Sequence, residues 1–149
     1  MGTKNRRAAR ELAINVLYQT DVAHIPQQEA LDTAIENTEL DPAAADFARI
    51  LVDGTIEHLG EIDAILKRLS VGWELSRQPA VDRNILRMAI FEILYLDYIP
   101  ASVSINEAVD LAKKYSTAES GRFVNGVLGA LVRELDIQPE AEQHGSNDS

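Results

Sequence analysis

Lys4, Arg6, Arg7 and Arg10 crowd the first ten residues with no acid among them, and Tyr18 follows on the same side of the helix as Arg7 and Arg10. Guanidinium groups form hydrogen bonds to phosphate oxygens, and a tyrosine ring offers a flat face to an unpaired base. Cations in the first turns of a helix oppose its dipole, each at a cost of roughly 0.3–1 kcal/mol at low salt. An anion that neutralises them would account for their presence. So would a solvated, frayed end, or ion pairs with the acidic body of the chain.

A second segment of similar chemistry lies near the other end. Ser120–Asn125 carries Arg122 and Phe123 at the start of a helical pattern, where free backbone N–H groups also attract anions. A phenylalanine at such a position fits a core as readily as a base platform. Glu92 is the one carboxylate in a strongly apolar setting, so it requires a partner or a proton. Pairing with an arginine, or tying helix ends together, accounts for it better than catalysis does. Other chemistries find no support. Gly121 and Gly126 have the first spacing of a phosphate-binding loop, but Val127-Leu128 stands where Lys-Ser/Thr is needed. His24, His58 and His144 are far apart in sequence, no cysteine is present, and no nucleophile elbow occurs, so no metal, cofactor or catalytic group is expected.

The elements that must position these residues are all helical. Ala9, Leu12, Ala13, Val16, Leu17 and Thr20 recur at i, i+3, i+4 and i+7 and predict a first helix over about Asn5–Ala23. A short helix follows Pro26, with Ala30, Leu31, Ala34 and Ile35 inward. Asp41-Pro42 is a helix start, Asp as N-cap and Pro at the first helical position. Gly54 inside that third helix implies close approach by another helix, and Gly60 marks its end. Ile62, Ile65, Leu66 and Leu69 predict a fourth. Val81–Leu96 is apolar on every side apart from Arg83, Asn84 and Arg87 near its start, which predicts a buried central helix whose first turns reach the surface. Ser104 and Glu107 have capping-box spacing and predict a helix from there to about Tyr115. Thr117–Gly121 reads as a polar connection, and Arg122–Leu135 as the last helix. Trp73 is expected to be a packing anchor. The expected architecture is an all-α bundle of about seven helices in one domain, residues 1–137. A seam is expected near 70–79, and residues 138–149 read as a disordered acidic tail.

The 149 residues are 46% hydrophobic and 26% charged, an ordinary globular balance. No apolar stretch follows the basic start, so no secretory signal is expected and a cytoplasmic location is. The net charge of −10 argues against nucleic acid as a general partner. The distribution argues otherwise, since the cations gather at one end and Glu134, Asp136, Glu140, Glu142 and Asp148 at the other.

Four stretches carry a family resemblance: Arg6-Arg7-Ala8-Ala9-Arg10-Glu11 with Val16-Leu17-Tyr18-Gln19; Asp82-Arg83-Asn84-Ile85-Leu86-Arg87; Ile99-Pro100 with Ile105-Asn106-Glu107-Ala108-Val109-Asp110-Leu111-Ala112-Lys113-Lys114-Tyr115; and Phe123-Val124-Asn125-Gly126-Val127-Leu128. In this order, over roughly Arg6–Leu135, they closely resemble the NusB family of bacterial transcription antitermination factors. The resemblance implies two three-helix-like subdomains and a non-enzymatic role. It implies binding to the single-stranded boxA element of nascent ribosomal RNA, as a heterodimer with the ribosomal protein NusE, in a complex with NusA, NusG and RNA polymerase. Lys4, Arg6, Arg7, Arg10 and Tyr18, then Glu119, Ser120, Arg122 and Phe123, match the RNA-facing positions, and Asp82 the contact with NusE. Gly121 stands where the family often has a larger polar residue. A self-associating helical adaptor, or an accessory domain for ribosomal RNA modification, is the alternative. Self-association through the basic end would cover the RNA face.

Overall fold

The structure is a computed structural model that describes residues 3–70 and 78–146, with side chains described from Asn5 to Asp136 within those spans. Trp73, most of the expected seam and the side chain of Lys4 lie outside the described residues. The described chain forms seven helices: α1 (Thr3–Val22), α2 (Gln27–Glu36), α3 (Pro42–Glu57), α4 (Leu59–Leu69), α5 (Ala80–Tyr95), α6 (Ala101–Tyr115) and α7 (Ala118–Ser146). α1 packs on α2 and α3, α6 packs on α7, and α5 runs between the two groups in contact with α1, α3, α4, α6 and α7.

The central helix is buried as its composition requires: Ile85, Leu86, Met88, Ala89, Ile90 and Phe91 are all inside the core. Its first turns are buried as well, contrary to the expectation that they reach the surface. Asp82, Asn84 and Arg87 are covered, because carboxylates of α1 and α4 and a hydroxyl of α7 close over them. Gly54 shows why α3 carries a glycine. A Cβ there would lie 2.0 Å from Cζ of Phe91, so the ring of α5 occupies the space of the missing side chain.

Helix boundaries follow local chemistry in some places and not in others. Asp41 caps α3 by accepting from the Ala44 N–H at 2.8 Å, with Pro42 behind it. The break after α3 falls at His58 rather than Gly60. The His58 ring stacks on Tyr95 with centroids 4.0 Å apart, which fixes the bend to α5, while Gly60 is exposed and an added Cβ there would meet nothing within 4 Å. The capping box at Ser104 is not used. α6 begins at Ala101 behind Pro100, and both Ser104 and Glu107 are buried inside it. α7 begins ahead of the expected start at Arg122, because Thr117 Oγ1 accepts from the Ser120 N–H at 2.9 Å and opens the helix there. Past Leu135 the helix runs on to Ser146.

Candidate nucleic-acid interface

The stripe of α1 that carries Arg7, Arg10, Ile14 and Tyr18 is turned toward α5 and α6, and depth then sorts its members. Arg10 is 1% exposed. Its Nε and Nη2 donate to the two carboxylate oxygens of Glu92 at 3.0 and 2.8 Å, and Nη1 reaches Glu107 at 3.5 Å. Ser104 donates its hydroxyl to Glu92 at 2.9 Å, and the guanidinium also lies 5.5 Å from the centroid of the Phe47 ring. Glu92 therefore has the arginine partner that its apolar setting demands. Arg10, expected among the RNA-facing cations, is the correction this structure makes. It joins α1, α5 and α6 in the interior and presents no donor to solvent.

One turn earlier Arg7 continues the same network outward. Its Nη2 donates to Glu107 at 2.5 Å and to Asp110 at 3.3 Å, yet its side chain remains 48% exposed. The Arg7 guanidinium, by hydrogen bond and charge, holds the Glu107 carboxyl below its ordinary range, and the arginine is raised in return. Arg6, one turn before Arg10, leans over the same Phe47 ring. It is half-buried, with its guanidinium 5.6 Å from the Phe47 ring centroid and 5.8 Å from that of Tyr98. Arg6, Arg7 and Arg10 thus lie at different depths and form no single exposed row.

α6 supplies what the sequence reading missed. Its last turn carries Lys113, Lys114 and Tyr115, all exposed. Basic residues at the C-terminal end of a helix complement its dipole, so in sequence they read as ordinary end chemistry. In three dimensions they bridge the two predicted segments. Lys114 donates to Glu11 Oε2 of α1 at 2.6 Å and the Tyr115 hydroxyl donates to the same oxygen. Lys113 lies over Gly121 of α7, where an added Cβ would come within 2.8 Å of its Cγ. The absent side chain of Gly121 therefore makes room for a lysine stem. Tyr18 and Tyr115 line one open cleft of about 240 Å³, floored by Ile14 and walled by Val81, Glu11 and Asn15.

The start of α7 completes the surface. Glu119 and Arg122 are exposed and Phe123 is half-buried against the core. Ser120 faces inward and donates its hydroxyl to Asp82 Oδ2 at 2.7 Å, while Asp82 Oδ1 is sealed without a partner. Asp82, expected to meet a protein partner, is 3% exposed and lies under α7. Among the described residues no group of His, Cys, Asp and Glu could hold a metal ion, and no helix is long and apolar enough to cross a membrane.

The described chain is thus an all-helical scaffold that carries exposed cations and two tyrosines around an open cleft. The NusB family model matches residues 7–133, and the chain belongs to the NusB family. It is 47% identical over 131 residues to the transcription antitermination protein NusB of Heliobacterium modesticaldum, with 88% of this chain and 64% of that protein aligned. It is equally similar to that of Desulforamulus reducens, with 92% of the latter covered. Its structure resembles a crystal structure of antitermination factors NusB and NusE in complex with double-stranded RNA, at a TM-score of 0.82 and 31% identity over 89% of this chain and 99% of that one. It also resembles T. maritima NusB, at a TM-score of 0.81 and 36% identity over 87% of this chain and 91% of that one.

Proposed function

We propose that this chain is a transcription antitermination factor that binds single-stranded boxA RNA together with NusE. Its place is in the complex of NusA, NusG and RNA polymerase on nascent ribosomal transcripts, in the cytoplasm. Membership of the family supports the reading, and so does the fold shared with a NusB–NusE–RNA structure. The observation that carries it is the pairing of Tyr18 and Tyr115 across one cleft, with Arg7, Lys113 and Lys114 beside it and Arg122 on the next helix. Rings and cations alternating along a surface suit a single strand, whose bases stack while its phosphates are neutralised.

The work asked of the chain is binding alone. Arg7, Lys113, Lys114 and Arg122 would contact phosphates, and Tyr18, Tyr115 and the exposed edge of Phe123 would meet bases. Arg6 would act from the flank. Arg10 takes the role of a positioning residue, since it fixes Glu107, and Glu107 fixes Arg7. Asp82 and Ser120 hold the start of α7 in place, so contact with NusE at this end would depend on a surface they order. A chain with net charge −10 gains from a basic partner, because NusE would add both area and positive charge.

Titration of labelled boxA RNA with and without NusE tests this. The double variant Arg7→Ala/Arg122→Ala is expected to weaken binding about tenfold or more and to lower the salt slope by about two phosphate contacts. Unchanged affinity and slope for a folded double variant would remove the proposed interface.

A further inference from the structure

Glu11 is out of place on a surface meant for phosphates. It lies in α1 between Arg7 and Tyr18, borders both the tyrosine cleft and the neighbouring groove against α2, and its side chain is 26% exposed. Repulsion of RNA is the obvious consequence, yet its geometry is that of a held group. Lys114 and the Tyr115 hydroxyl both donate to Oε2, and among the described residues nothing donates to Oε1. One oxygen is anchored by protein donors, and the other accepts none among the described residues. Burial raises the pKa of this carboxyl, but the hydrogen bonds from Lys114 and Tyr115 outweigh that and leave it below its ordinary value, so it stays an acceptor at neutral pH. Asn15, one turn further along α1, is exposed and lines the same cleft with an amide that both donates and accepts. Ile14 and Val81 give that cleft apolar walls, and Tyr18 and Tyr115 give it rings.

Resting on the RNA-binding reading above, we propose that Glu11 and Asn15 form a base-reading subsite for guanine. Among the four RNA bases only guanine presents two adjacent donors, N1–H and the 2-amino group, on its pairing edge. Oε1 of Glu11 accepts from one and the Asn15 carbonyl from the other, while the base stacks on a tyrosine. Adenine and cytosine each offer one amino group next to a ring nitrogen acceptor, which a carboxylate repels. Uracil offers a single N–H flanked by carbonyl oxygens. The carboxylate thus turns a general single-strand surface into one that discriminates, at a position where a cation would only add affinity.

The experiment compares boxA RNA with the same oligonucleotide in which each guanosine in turn is replaced by inosine, which lacks only the 2-amino group. The wild-type chain with NusE is expected to lose about tenfold in affinity at one such position, the size of a good base-edge contact. Glu11→Gln and Asn15→Ala, each checked for unchanged thermal unfolding, are expected to bind the parent RNA more weakly and to distinguish the two oligonucleotides by less than about twofold. Wild-type protein that binds RNA and ignores every inosine overturns the subsite and leaves the RNA-binding reading standing. Glu11→Gln that binds every RNA more tightly by the same factor overturns it too, since Glu11 is then only a repulsive charge. Wild-type protein that binds no RNA overturns the reading beneath it.

Discussion

The two ends of α5 each carry a network of arginines and carboxylates, and the two differ in depth. At the N-terminal end Arg83 and Arg87 converge with Asn84 on Asp21 of α1, at 2.7 to 3.1 Å, and Arg87 makes a two-point pair with Asp63 of α4 at 2.8 Å for each bond. Arg83, Asn84, Arg87, Asp21 and Asp63 are all buried or half-buried, so they tie α1, α4 and α5 together. Toward the C-terminal end Glu92 starts a network that runs outward through Arg10 and Glu107 to Arg7 and Asp110, from 1% exposed to 48% and 56%. The residue types are the same. The gradient alone makes one network a clamp and gives the other an outer member that a ligand can take over. An arginine sealed with its carboxylate contributes to the scaffold, and an arginine at the rim can exchange a carboxylate for a phosphate.

The largest effect is expected at the inner end of the graded network. Arg10→Met leaves Glu92 buried without its charge partner and should cost about 3–5 kcal/mol in urea unfolding, whereas Arg10→Met combined with Glu92→Leu should recover most of that loss. A single substitution costing under about 1 kcal/mol would mean that the pair is not sealed and the contrast with Arg7 is false. Arg87→Leu in the other network should cost less, about 2–3 kcal/mol, because Asp21 keeps Arg83 and Asn84 and some solvent. It should leave RNA affinity unchanged, and a loss of binding in a fully folded variant would erase the division between clamp and interface. Arg7→Ala should lower stability by less than about 1 kcal/mol, as a half-exposed pair does, while weakening RNA binding.

The smallest effect is in the acid limb of stability. Glu107 is lowered by the hydrogen bond from Arg7, and Asp21 is lowered because the hydrogen bonds and charges of Arg83, Asn84 and Arg87 outweigh the burial that raises it. Each contribution is complete above the ordinary carboxylate values of 4.5 and 3.8 and is lost as pH falls through the lower folded-state values. Urea midpoints should therefore hold from neutral pH down to about that range and fall below it. Arg7→Ala should flatten part of the fall, and Asp21→Asn another part. A fall that is identical in both variants would show that neither network senses the proton.

Much of the fold was legible in the chain because local pattern and global packing agree. The apolar stripe of α1, the cap at Asp41, the all-round apolar surface of α5 and the intrusion marked by Gly54 each led to the observed element. The failures are specific. Ser104 and Glu107 have the spacing of a capping box, but their side chains are worth more to buried Glu92 and to the arginines than to a helix end. Gly60 looks like a stop, yet a stacked histidine sets the break. The make-up of the candidate site was half legible. The arginines and Tyr18 were visible as types, but Lys113, Lys114 and Tyr115 were hidden by their ordinary place at a helix end.

What the sequence by itself determined is the helical class, the order of the helices, the buried centre and the lopsided charge, because periodicity and composition are properties of neighbours along the chain. Which arginine lies at the rim and which is sealed with its carboxylate was decided only by tertiary structure. Arg7 and Arg10 are a single turn apart on one stripe, and the difference between them is the depth at which α5 and α6 close over that stripe. Glu92 and Glu107 stand 82 and 97 residues from Arg10, a separation at which no local pattern can say that they meet.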